Sequence, residues 1–552
     1  MKFIITAALP YSYSVPHLGN FVGSVLPADV YYRYLKMRGN DAIFICGSDQ
    51  HGTPVELRAI KEKADPKLLA DKMHTDMKRL FERFGCGFTH YGNTDSDECR
   101  EIVYQFFEAL RRNGYIKEIE SEQAYCTVDK RFLPDRFIEG QCPYCGGNRA
   151  RGDQCDDCGR LLDPAQILNP RCNICGKSRI EFRKAKNLAI ELEKLEDKIE
   201  EFVAETSKNN WTKNAVNKSI SFIKEGLKAR AITRNMRWGF PVPLKGFEDS
   251  VFYVWFDNVI SYIGITKEWD GKRWKDYWKD DKTALVHFMG KDNIEFHTIL
   301  WPAYLIGADL GYVMPRTIRA SEFLTSKEVK FSKSQGVGLN MQAALEVMDS
   351  DYWRFVLMHL YPETADSEFS IEVAREAVDK LMNDKIGNLI QRVLKITTAN
   401  KGRLASHARI LTREEEIKGI VSEYYENFER IRLREALHSI LKLADLGNEI
   451  MSEEQPWLLV KEGVESKESA EKFSNVISTL LVVCYCISLM LWPFTPGASE
   501  RACGFFGEKK EPDMAMMADA LENGIKVRIA KDFKPVFTKM DGAQLEKLNT
   551  YK

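Results

Sequence analysis

Short apolar runs alternate with helix-like segments over residues 1–115. The runs Phe-Ile-Ile-Thr at 3–6 and Ala-Ile-Phe-Ile-Cys at 42–46 are short and rich in β-branched residues, as buried strands are. Strands of this kind, separated by helices, predict a parallel sheet. Similar runs return at 251–255 and 284–288. We therefore expect residues 116–230 to split one α/β domain.

The pattern changes in the second half of the chain and inside the interruption. In AIELEKLEDKIEEF, at 189–202, apolar residues recur at helical spacing, which predicts a helix with a solvated charged face. Beyond residue 371 almost all periodicity is helical. The stretch 476–494 is uncharged and as long as a membrane span, but polar residues interrupt it and no basic cluster flanks it. We expect a helix buried in a bundle and no membrane partner.

Composition limits the function classes. The chain has 552 residues, of which 44% are apolar and 29% charged, as in a globular protein of several domains. A net charge of −1 argues against a generally basic surface, so nucleic acid would have to bind at local patches. The N-terminus opens directly into a strand, without a signal-peptide pattern, and we expect a cytoplasmic protein.

Six of the thirteen cysteines form three C-x-x-C pairs, each followed by glycine. This spacing points two thiolates at one ion, as in zinc knuckles, while the glycine permits the turn. Disulfides are the alternative, but they do not suit a large chain of cytosolic character. The sequence predicts one zinc at the first two pairs, which are Cys142, Cys145, Cys155 and Cys158.

The third pair, Cys172 and Cys175, needs further ligands. Cys126 and Asp129 lie upstream at the same spacing, and a second zinc held by these four residues would enclose the first ribbon. Carboxylate is a rarer structural zinc ligand than thiolate, and the alternative is a vestigial knuckle with free thiols. The residues leave both interpretations open.

Three polar loops are candidates for nucleotide binding. ALPYSYSVPHLGN, at 8–20, follows the first strand but contains neither glycine-rich phosphate motif. Asp292, in Gly-Lys-Asp after a later strand, can hold a ribose hydroxyl. Lys330 and Lys333, in KFSKS at 330–334, can place two ammonium groups on one polyphosphate. Each loop alone is weak evidence, since such loops are more often simply solvated.

Together the loops resemble the signatures of class I aminoacyl-tRNA synthetases. HLGN and KFSKS are similar to the HIGH and KMSKS motifs of that class. The whole chain resembles the methionyl-tRNA synthetase family, in ALPYSYSVPHLGN, FICGSDQHGTP, YVWFDNVISY and GKDNIEFHTILWPA. The zinc-ribbon insertion, GNLIQR at 387–392 and QPW at 455–457 are similar too.

The resemblance implies the fold, the reaction and the partners. The fold is α/β, a Rossmann-like parallel sheet split by a zinc-ribbon insertion and followed by an α-helical bundle. The reaction activates L-methionine with ATP and Mg²⁺ to methionyl-adenylate, releases pyrophosphate and transfers methionine to the 3′ end of methionine tRNA. The implied parts are 1–115 and 231–325 (catalytic halves), 116–230 (insertion), 326–370 (lysine-loop and stem-contact region) and 371–552 (anticodon-binding domain).

It also implies the site residues. His17, Asn20, Lys330 and Lys333 would act on the ATP phosphates, and Gly19, Gly290, Asp292 and Ser332 complete the ATP site. Asp49 would pair with the substrate ammonium. The remaining methionine-pocket residues are Leu9, Tyr11, Trp255, Val259, Tyr262, Phe296 and His297. The anticodon would be read by Asn388, Arg392 and Trp457.

Three positions depart from the family pattern. Asn20 stands where the name-giving motif has its second histidine, and Val259 stands where proline is expected. Phe331 replaces the methionine of the lysine loop. The first two put details of the ATP site and of the pocket wall in doubt, but not the class of reaction.

Two alternatives stay open at this point. A synthetase for another apolar or thiol amino acid is the first, although the zinc ribbon leaves little room for an editing domain and no thiol-binding zinc set surrounds Asp49. A non-catalytic tRNA-binding paralogue is the second, and the intact motif residues argue against it. No appended tRNA-binding barrel precedes Lys552, so we expect a monomer, with a separate tRNA-binding protein as a further option.

Overall fold

Five parallel strands form the central sheet, and the first strand of the chain lies in its middle. The computed structural model describes residues 1–152, 155, 157–158, 160, 162, 164–326, 329–330, 339–400, 404–461, 466–530 and 532–550. The first half of the sheet domain contains β1 (Lys2–Ala7), α1 (Leu18–Asn20), α2 (Leu26–Met37), β2 (Asp41–Ser48), α3 (Thr53–Glu62), α4 (Pro66–Arg83), β3 (His90–Asn93) and α5 (Asp97–Arg112).

The insertion is built on a long antiparallel ribbon, in which Ile116 pairs with Ile190 and Cys126 with Ile180. Its elements are β4 (Ile116–Cys126), β5 (Arg131–Phe132), β6 (Ile138–Gln141), β7 (Ala150–Arg151), β8 (Leu168–Cys172), β9 (Ile180–Ile190), α6 (Glu196–Thr206), α7 (Lys213–Lys224) and β10 (Arg230–Ala231). The helix predicted over 189–202 is wrong in its first part, because 189–190 pair in β9 and α6 begins only at Glu196.

The second half of the sheet domain returns through a short hairpin. It contains β11 (Thr233–Arg234), β12 (Val251–Phe252), α8 (Val254–Trp269), α9 (Trp274–Trp278), β13 (Ala284–Gly290), α10 (Trp301–Ala308) and β14 (Pro315–Ser321). The strand predicted over 251–255 is shorter than expected, since Tyr253 is already the N-cap of α8. The prediction of one parallel sheet split by the insertion is confirmed by the pairing of β1 with both β2 and β13.

The order of the strands reverses beside β1. Strands β2 and β3 extend the sheet on one side of β1, and β13 and β14, which follow the insertion, extend it on the other. In open parallel sheets, ligands bind outside the carboxyl ends of the strands at such a reversal. Strands β1, β2 and β13 end at Ala7, Ser48 and Gly290, so the turns that follow them all lie at this carboxyl edge of the sheet.

The chain becomes helical after a small linking region. That region contains β15 (Leu324–Ser326), β16 (Val329–Lys330), α11 (Met341–Leu345), α12 (Ser350–His359) and β17 (Ser367–Glu368). The helical part contains α13 (Ile371–Glu376), α14 (Asn388–Ala399), β18 (His407–Ala408), α15 (Glu414–Glu429), α16 (Leu433–Glu454), α17 (Pro456–Lys461), α18 (Lys467–Met490), α19 (Pro496–Phe505), α20 (Met514–Glu522), β19 (Ile525–Lys526) and α21 (Gly542–Asn549).

Helix α18 explains the long uncharged stretch. It is long and apolar enough to cross a membrane, because one stretch of 18 residues has a mean hydropathy of 1.9. However, 89% of that stretch is buried inside the protein. Every residue from Val476 to Met490 is buried. Packing against neighbouring helices therefore accounts for its composition, and the prediction of a buried bundle helix is confirmed.

A buried arginine joins the helical part to the sheet domain. The Arg354 guanidinium, on α12, donates to Asp29 Oδ2 on α2 at 2.6 Å and to the carbonyl oxygens of Pro493 and Phe494 at 2.9 and 2.7 Å. Both side chains of the ion pair are fully buried. An uncompensated charge here would be very costly, so these contacts fix how the two parts dock.

Candidate active site and metal centres

The HLGN turn holds itself together and is anchored to the segment that follows the lysine loop. His17 Nδ1 accepts from the Asn20 main-chain N–H at 3.0 Å, and Asn20 Oδ1 accepts from the His17 N–H at 3.3 Å. The Leu18 N–H donates to the Leu339 carbonyl at 3.1 Å, and the Met341 N–H donates to that of Pro16 at 3.0 Å. The turn is therefore rigid, with Gly19 half-buried and Asn20 exposed.

Asp49 is a buried carboxylate at the carboxyl end of β2, and only 1% of the residue is exposed. Its oxygens accept from the His51 N–H at 3.2 Å and from Asn258 Nδ2 at 2.7 Å. Burial raises the pKa of Asp49 well above its usual range, and the charge of Asp257 raises it further, against the opposing effects of His51 and Asn258. A carboxylate in this position favours a cationic ligand, whose charge would oppose those effects.

Asp257 and His51 form a second charged group beside Asp49. His51 is buried, and its Nδ1 contacts the Asp257 carboxylate while its Nε2 lies 3.1 Å from Asp95 Oδ1. Burial alone would lower the pKa of His51, but Asp257 and Asp95 outweigh it and raise the pKa to about 10. The imidazolium thus balances Asp257, and the ionised form of Asp49 lacks a full counter-charge, in keeping with its raised pKa.

Aromatic rings form a wall next to this carboxylate. The rings of Trp255 and Phe296 stack in parallel with centroids 3.6 Å apart, and Tyr11 meets Trp255 edge-on at 6.4 Å. The main chain of Tyr11 also pairs with Asp49. Trp255 and Asn258 both lie on α8. This one helix therefore supplies both an apolar surface and a hydrogen-bond donor for the Asp49 carboxylate.

A buried tyrosine–histidine pair completes the wall. Tyr262 Oη lies 3.0 Å from His297 Nε2, and His297 Nδ1 lies 3.0 Å from the Asn293 carbonyl. Because the carbonyl can only accept, Nδ1 carries the proton and Nε2 accepts from the Tyr262 hydroxyl. Burial lowers the pKa of His297 to about 4, so this ring is neutral. The Tyr262–His297 pair is thus polar but uncharged, and Leu9 and Val259, two further residues predicted for the pocket, are both buried.

The turn after β13 faces the HLGN turn across the strand reversal. Gly290 leaves room for Asp292, since a Cβ at Gly290 would lie 2.7 Å from Asp292 Oδ1. Asp292 is exposed, and the neighbouring Lys291 is held by Glu322 and Asp366 at 2.6 and 2.7 Å. The Asp292 carboxylate, which accepts from Asn293 Nδ2 at 3.3 Å, is exposed at this edge of the sheet.

The lysine loop is only partly described. Lys330 ends β16, where its main chain pairs with Thr325 of β15. Ser332 and Lys333 lie outside the described residues, as does Phe331. Asn340, which follows the loop in the sequence, bridges to His17, so the segment after the loop lies beside the HLGN turn.

Seven of the thirteen cysteines, together with Asp129, form two clusters that can each hold a metal ion. In the first, Cys142 Sγ lies 3.9 Å from Cys158 Sγ, and Cys145 Sγ lies 3.7 Å from Cys155 Sγ. Thiolates around a tetrahedral zinc, with bonds of about 2.3 Å, are separated by about 3.8 Å. All thirteen cysteines, which lie within the described residues, carry free thiols, so these distances suit an ion rather than disulfides.

The second cluster joins the third pair to its upstream partners. Asp129 Oδ2 lies 3.2 Å from Cys126 Sγ and 3.0 Å from Cys172 Sγ, and Cys126 Sγ lies 3.7 Å from Cys175 Sγ. The N–H groups of Asp129 and Ile174 point at the sulfurs of Cys126 and Cys172 at 3.3 and 3.4 Å. Such N–H groups stabilise the negative charge of thiolates. The three cysteines and Asp129 therefore fit a zinc ion here as well.

Two of the three predicted anticodon residues, Arg392 and Trp457, meet on the helical part. Asn388 and Arg392 are both exposed on α14, and Trp457 lies in the first turn of α17. The Arg392 guanidinium lies over the Trp457 ring, 5.2 Å from its centroid. Trp457 is half-buried, so part of its ring remains accessible.

The chain matches known protein families along nearly its whole length. Residues 3–394 match the family model described as tRNA synthetases class I (M), and residues 401–551 match the anticodon binding domain of methionyl tRNA ligase. A methionine–tRNA ligase of Pyrobaculum calidifontis is 39% identical over 99% of this chain and 96% of its own length. The chain belongs to the methionyl-tRNA synthetase family.

Other members are similar over comparable lengths. The methionine–tRNA ligase of Pyrobaculum islandicum is 44% identical over 84% of this chain and 83% of its own, and that of Korarchaeum cryptofilum is 38% identical over 99% and 97%. A methionyl-tRNA synthetase of Mycobacterium tuberculosis, solved with methionyl-adenylate, matches with a TM-score of 0.78 at 21% identity, over 98% of this chain and all of its own. That likeness shows a common fold.

Three residues around Asp49 escaped sequence reasoning. Asn258, Asp257 and His51 enclose Asp49, yet none belongs to a recognisable spacing. Two of them arise on α8, more than two hundred residues after Asp49, so only the fold brings them together. The signals in the sequence were the family-like segments FICGSDQHGTP and YVWFDNVISY, which contain these residues, and the polar pair Asp257 and Asn258 inside the apolar pattern of α8.

We expect two zinc ions per chain in protein purified without chelator. Replacing Cys142 or Cys172 by serine should each remove about one equivalent, because losing a ligand opens a closed tetrahedral site. Metal analysis by inductively coupled plasma mass spectrometry measures this directly. Cys86→Ser, a half-buried cysteine outside both clusters, is the control and should leave the metal content unchanged. A single zinc that does not respond to Cys172→Ser would contradict the second site.

Proposed function

We propose that the chain is a methionine–tRNA ligase that activates L-methionine with ATP and then charges methionine tRNA. The observation that supports this most directly is the buried Asp49 beside the Trp255–Phe296 wall at the strand reversal. A ligand that carries one ammonium group and a flexible apolar side chain fits both features. The family to which the chain belongs identifies that ligand as methionine.

The first step is an in-line displacement at phosphorus. A carboxylate oxygen of methionine attacks the α-phosphate of ATP, the bond to the β-phosphate breaks, and pyrophosphate leaves. Positioning and charge neutralisation contribute most to such a reaction. We assign these tasks to His17 and Asn20 on the phosphates and to Lys330 and Lys333 over the leaving group, with Mg²⁺ entering together with ATP.

The rest of the ATP site follows the strand ends. Gly19 would leave space for the adenine ring on the HLGN turn, Asp292 would bind ribose hydroxyls beside Gly290, and Ser332 would support the phosphates. The anchored prolines of the first turn favour a rigid wall instead of an open glycine cradle. Asn20, which replaces a histidine, keeps a hydrogen-bond donor and already fixes the turn through the His17 N–H.

We place the methionine pocket between the Asp49 carboxylate and the Trp255–Phe296 wall. Asp49 would pair with the ammonium, which would relieve the desolvation of its carboxylate. Sulfur makes favourable contacts with aromatic rings, which suits Trp255, Phe296 and Tyr11. Tyr262 and His297 would close the pocket with Leu9 and Val259, and the neutral state of His297 keeps that end free of charge.

In the second step a ribose hydroxyl at the 3′ end of methionine tRNA attacks the activated carboxyl carbon. An ester forms and AMP leaves. We assign recognition of the CAU anticodon to Asn388, Arg392 and Trp457, because Arg392 lies over the half-buried Trp457 ring and Asn388 is exposed four residues before Arg392 on α14. An aromatic ring beside a guanidinium favours a splayed-out base.

Further assignments remain proposals of the same kind. We retain the division into catalytic halves 1–115 and 231–325, insertion 116–230, linking region 326–370 and anticodon-binding domain 371–552. Zinc at both cysteine clusters would stabilise the insertion. We propose a cytoplasmic monomer that can be assisted by a separate tRNA-binding protein.

The test of the activation step is methionine-dependent exchange of pyrophosphate into ATP. Lys333→Ala should slow exchange by about a hundredfold or more, the scale for removing one preorganised charge donor. The control is Lys442→Ala, a surface lysine of α16 paired with Glu423, which should exchange at the wild-type rate. An exchange rate for Lys333→Ala within a few-fold of wild type would contradict the proposed role of the lysine loop.

The tRNA step has a separate test. Stacking of one base on an aromatic ring contributes about 1–3 kcal/mol, so Trp457→Ala should lower the kcat/KM for tRNA about tenfold or more. Pyrophosphate exchange should stay unchanged, and Trp457→Phe, which keeps a flat ring, should retain most charging. If exchange and charging fell together, or if the melting curve showed an unfolded bundle, the anticodon role of Trp457 would be wrong.

A further inference from the structure

Glu56 is a buried carboxylate that the proposed reaction does not use. It lies in the first turn of α3, four residues after Gly52 and seven after Asp49. Only 4% of the residue is exposed. Buried carboxylates are costly unless they are paired and hydrogen-bonded, so the partners of Glu56 indicate what it does.

Three donors from two other segments converge on this carboxylate. Arg131 of the insertion contacts Oε1, and the side chain of Arg131 is itself only 13% exposed. The main-chain N–H groups of Arg237 and Trp238 donate to Oε2 at 3.3 and 3.2 Å. Glu56 therefore joins α3 to the insertion and to the segment that leads back from it into the sheet domain.

On the insertion side, the contact reaches the second cysteine cluster. Arg131 pairs across the β4–β5 hairpin with Cys126, and Asp129 lies in the turn of that hairpin. Asn173, adjacent to Cys172, accepts from Lys61 Nζ of α3 at 3.0 Å. Two turns of α3 thus contact residues next to ligands of the same cluster.

On the catalytic side, the contact returns to the turn that carries Asp49. The indole N–H of Trp238 donates to the Gln50 carbonyl at 2.6 Å. The same indole lies edge-on to the His51 ring, with centroids 5.5 Å apart. One carboxylate therefore connects the insertion, α3 and the two residues that follow Asp49.

From this arrangement we infer that Glu56 is a positioning residue for the methionine pocket. By binding Arg131 and the Trp238 N–H at once, it holds the docked insertion against the Asp49 turn, so that the position of the insertion sets the position of the ammonium anchor. The inference rests on the proposed methionine site, and it adds a residue that touches neither substrate nor ATP.

The experiment compares three variants in pyrophosphate exchange, with methionine and ATP varied separately. Glu56→Gln should raise the KM for methionine about tenfold, since a small displacement of a binding group has effects of this size or larger. The KM for ATP and the zinc content should remain within about twofold of wild type. Arg131→Met should act in the same way.

The double variant Glu56→Gln/Arg131→Met distinguishes positioning from simple stability. Each single change leaves one member of a buried ion pair without its partner, which lowers the melting temperature, whereas removing both charges relieves that penalty. We expect the melting temperature to recover in the double variant and the KM for methionine to stay raised. Recovery of both would show that Glu56 has only a structural role and would overturn the inference.

A second ion pair of the insertion is the matched control. Glu139 and Arg151 contact each other at 2.7 Å with side chains 20% exposed, and both lie within the insertion. Glu139→Gln should leave the KM for methionine unchanged. An equal rise in that variant, or an equal rise of the KM for ATP in Glu56→Gln, would contradict specific positioning.

Absence of methionine-dependent exchange in the wild type would instead refute the proposed function.

Discussion

A buried carboxylate at the carboxyl edge of the sheet is the constraint around which the rest of this site is arranged. Asp49 is almost fully buried, with a neutral amide and a main-chain N–H as its hydrogen-bond donors. The nearby imidazolium of His51 is engaged by Asp257 and Asp95. Ionised Asp49 is therefore short of a counter-ion, and we propose that the substrate ammonium supplies it.

The topology explains how distant residues reach that carboxylate. The strand order reverses at β1, so the turns after β1, β2 and β13 meet, and α8 crosses them with Trp255, Asn258 and Tyr262. The insertion interrupts the chain between β3 and β13, and its contact through Glu56 returns to the same edge. Arg354 fixes the helical part onto α2, which continues from the HLGN turn. Both the insertion and the helical part are thus joined by buried ion pairs to helices that neighbour the proposed site.

Much of this could be predicted from local patterns. The strands at 3–6 and 42–46, the cysteine pairs and the buried α18 follow from periodicity and spacing, because each depends on neighbouring residues. The helix expected from residue 189 and the strand expected through residue 255 were wrong at their ends, where pairing with β4 and the start of α8 decide the structure. The Asp257–His51–Asp95 group and the Glu56 contacts join residues that are far apart in sequence, so no local pattern could predict them. The roles of individual site residues remain predictions from the family.

The central claim is that Asp49 supplies the charge that selects an amino acid through its ammonium group. Calorimetric titration with L-methionine and with 4-(methylthio)butanoate, which lacks only the amino group, tests it most directly. The account predicts that methionine binds and that the analogue binds about a hundredfold more weakly or worse, because it leaves the buried carboxylate without a counter-charge. Equal affinity for the two compounds would contradict the account.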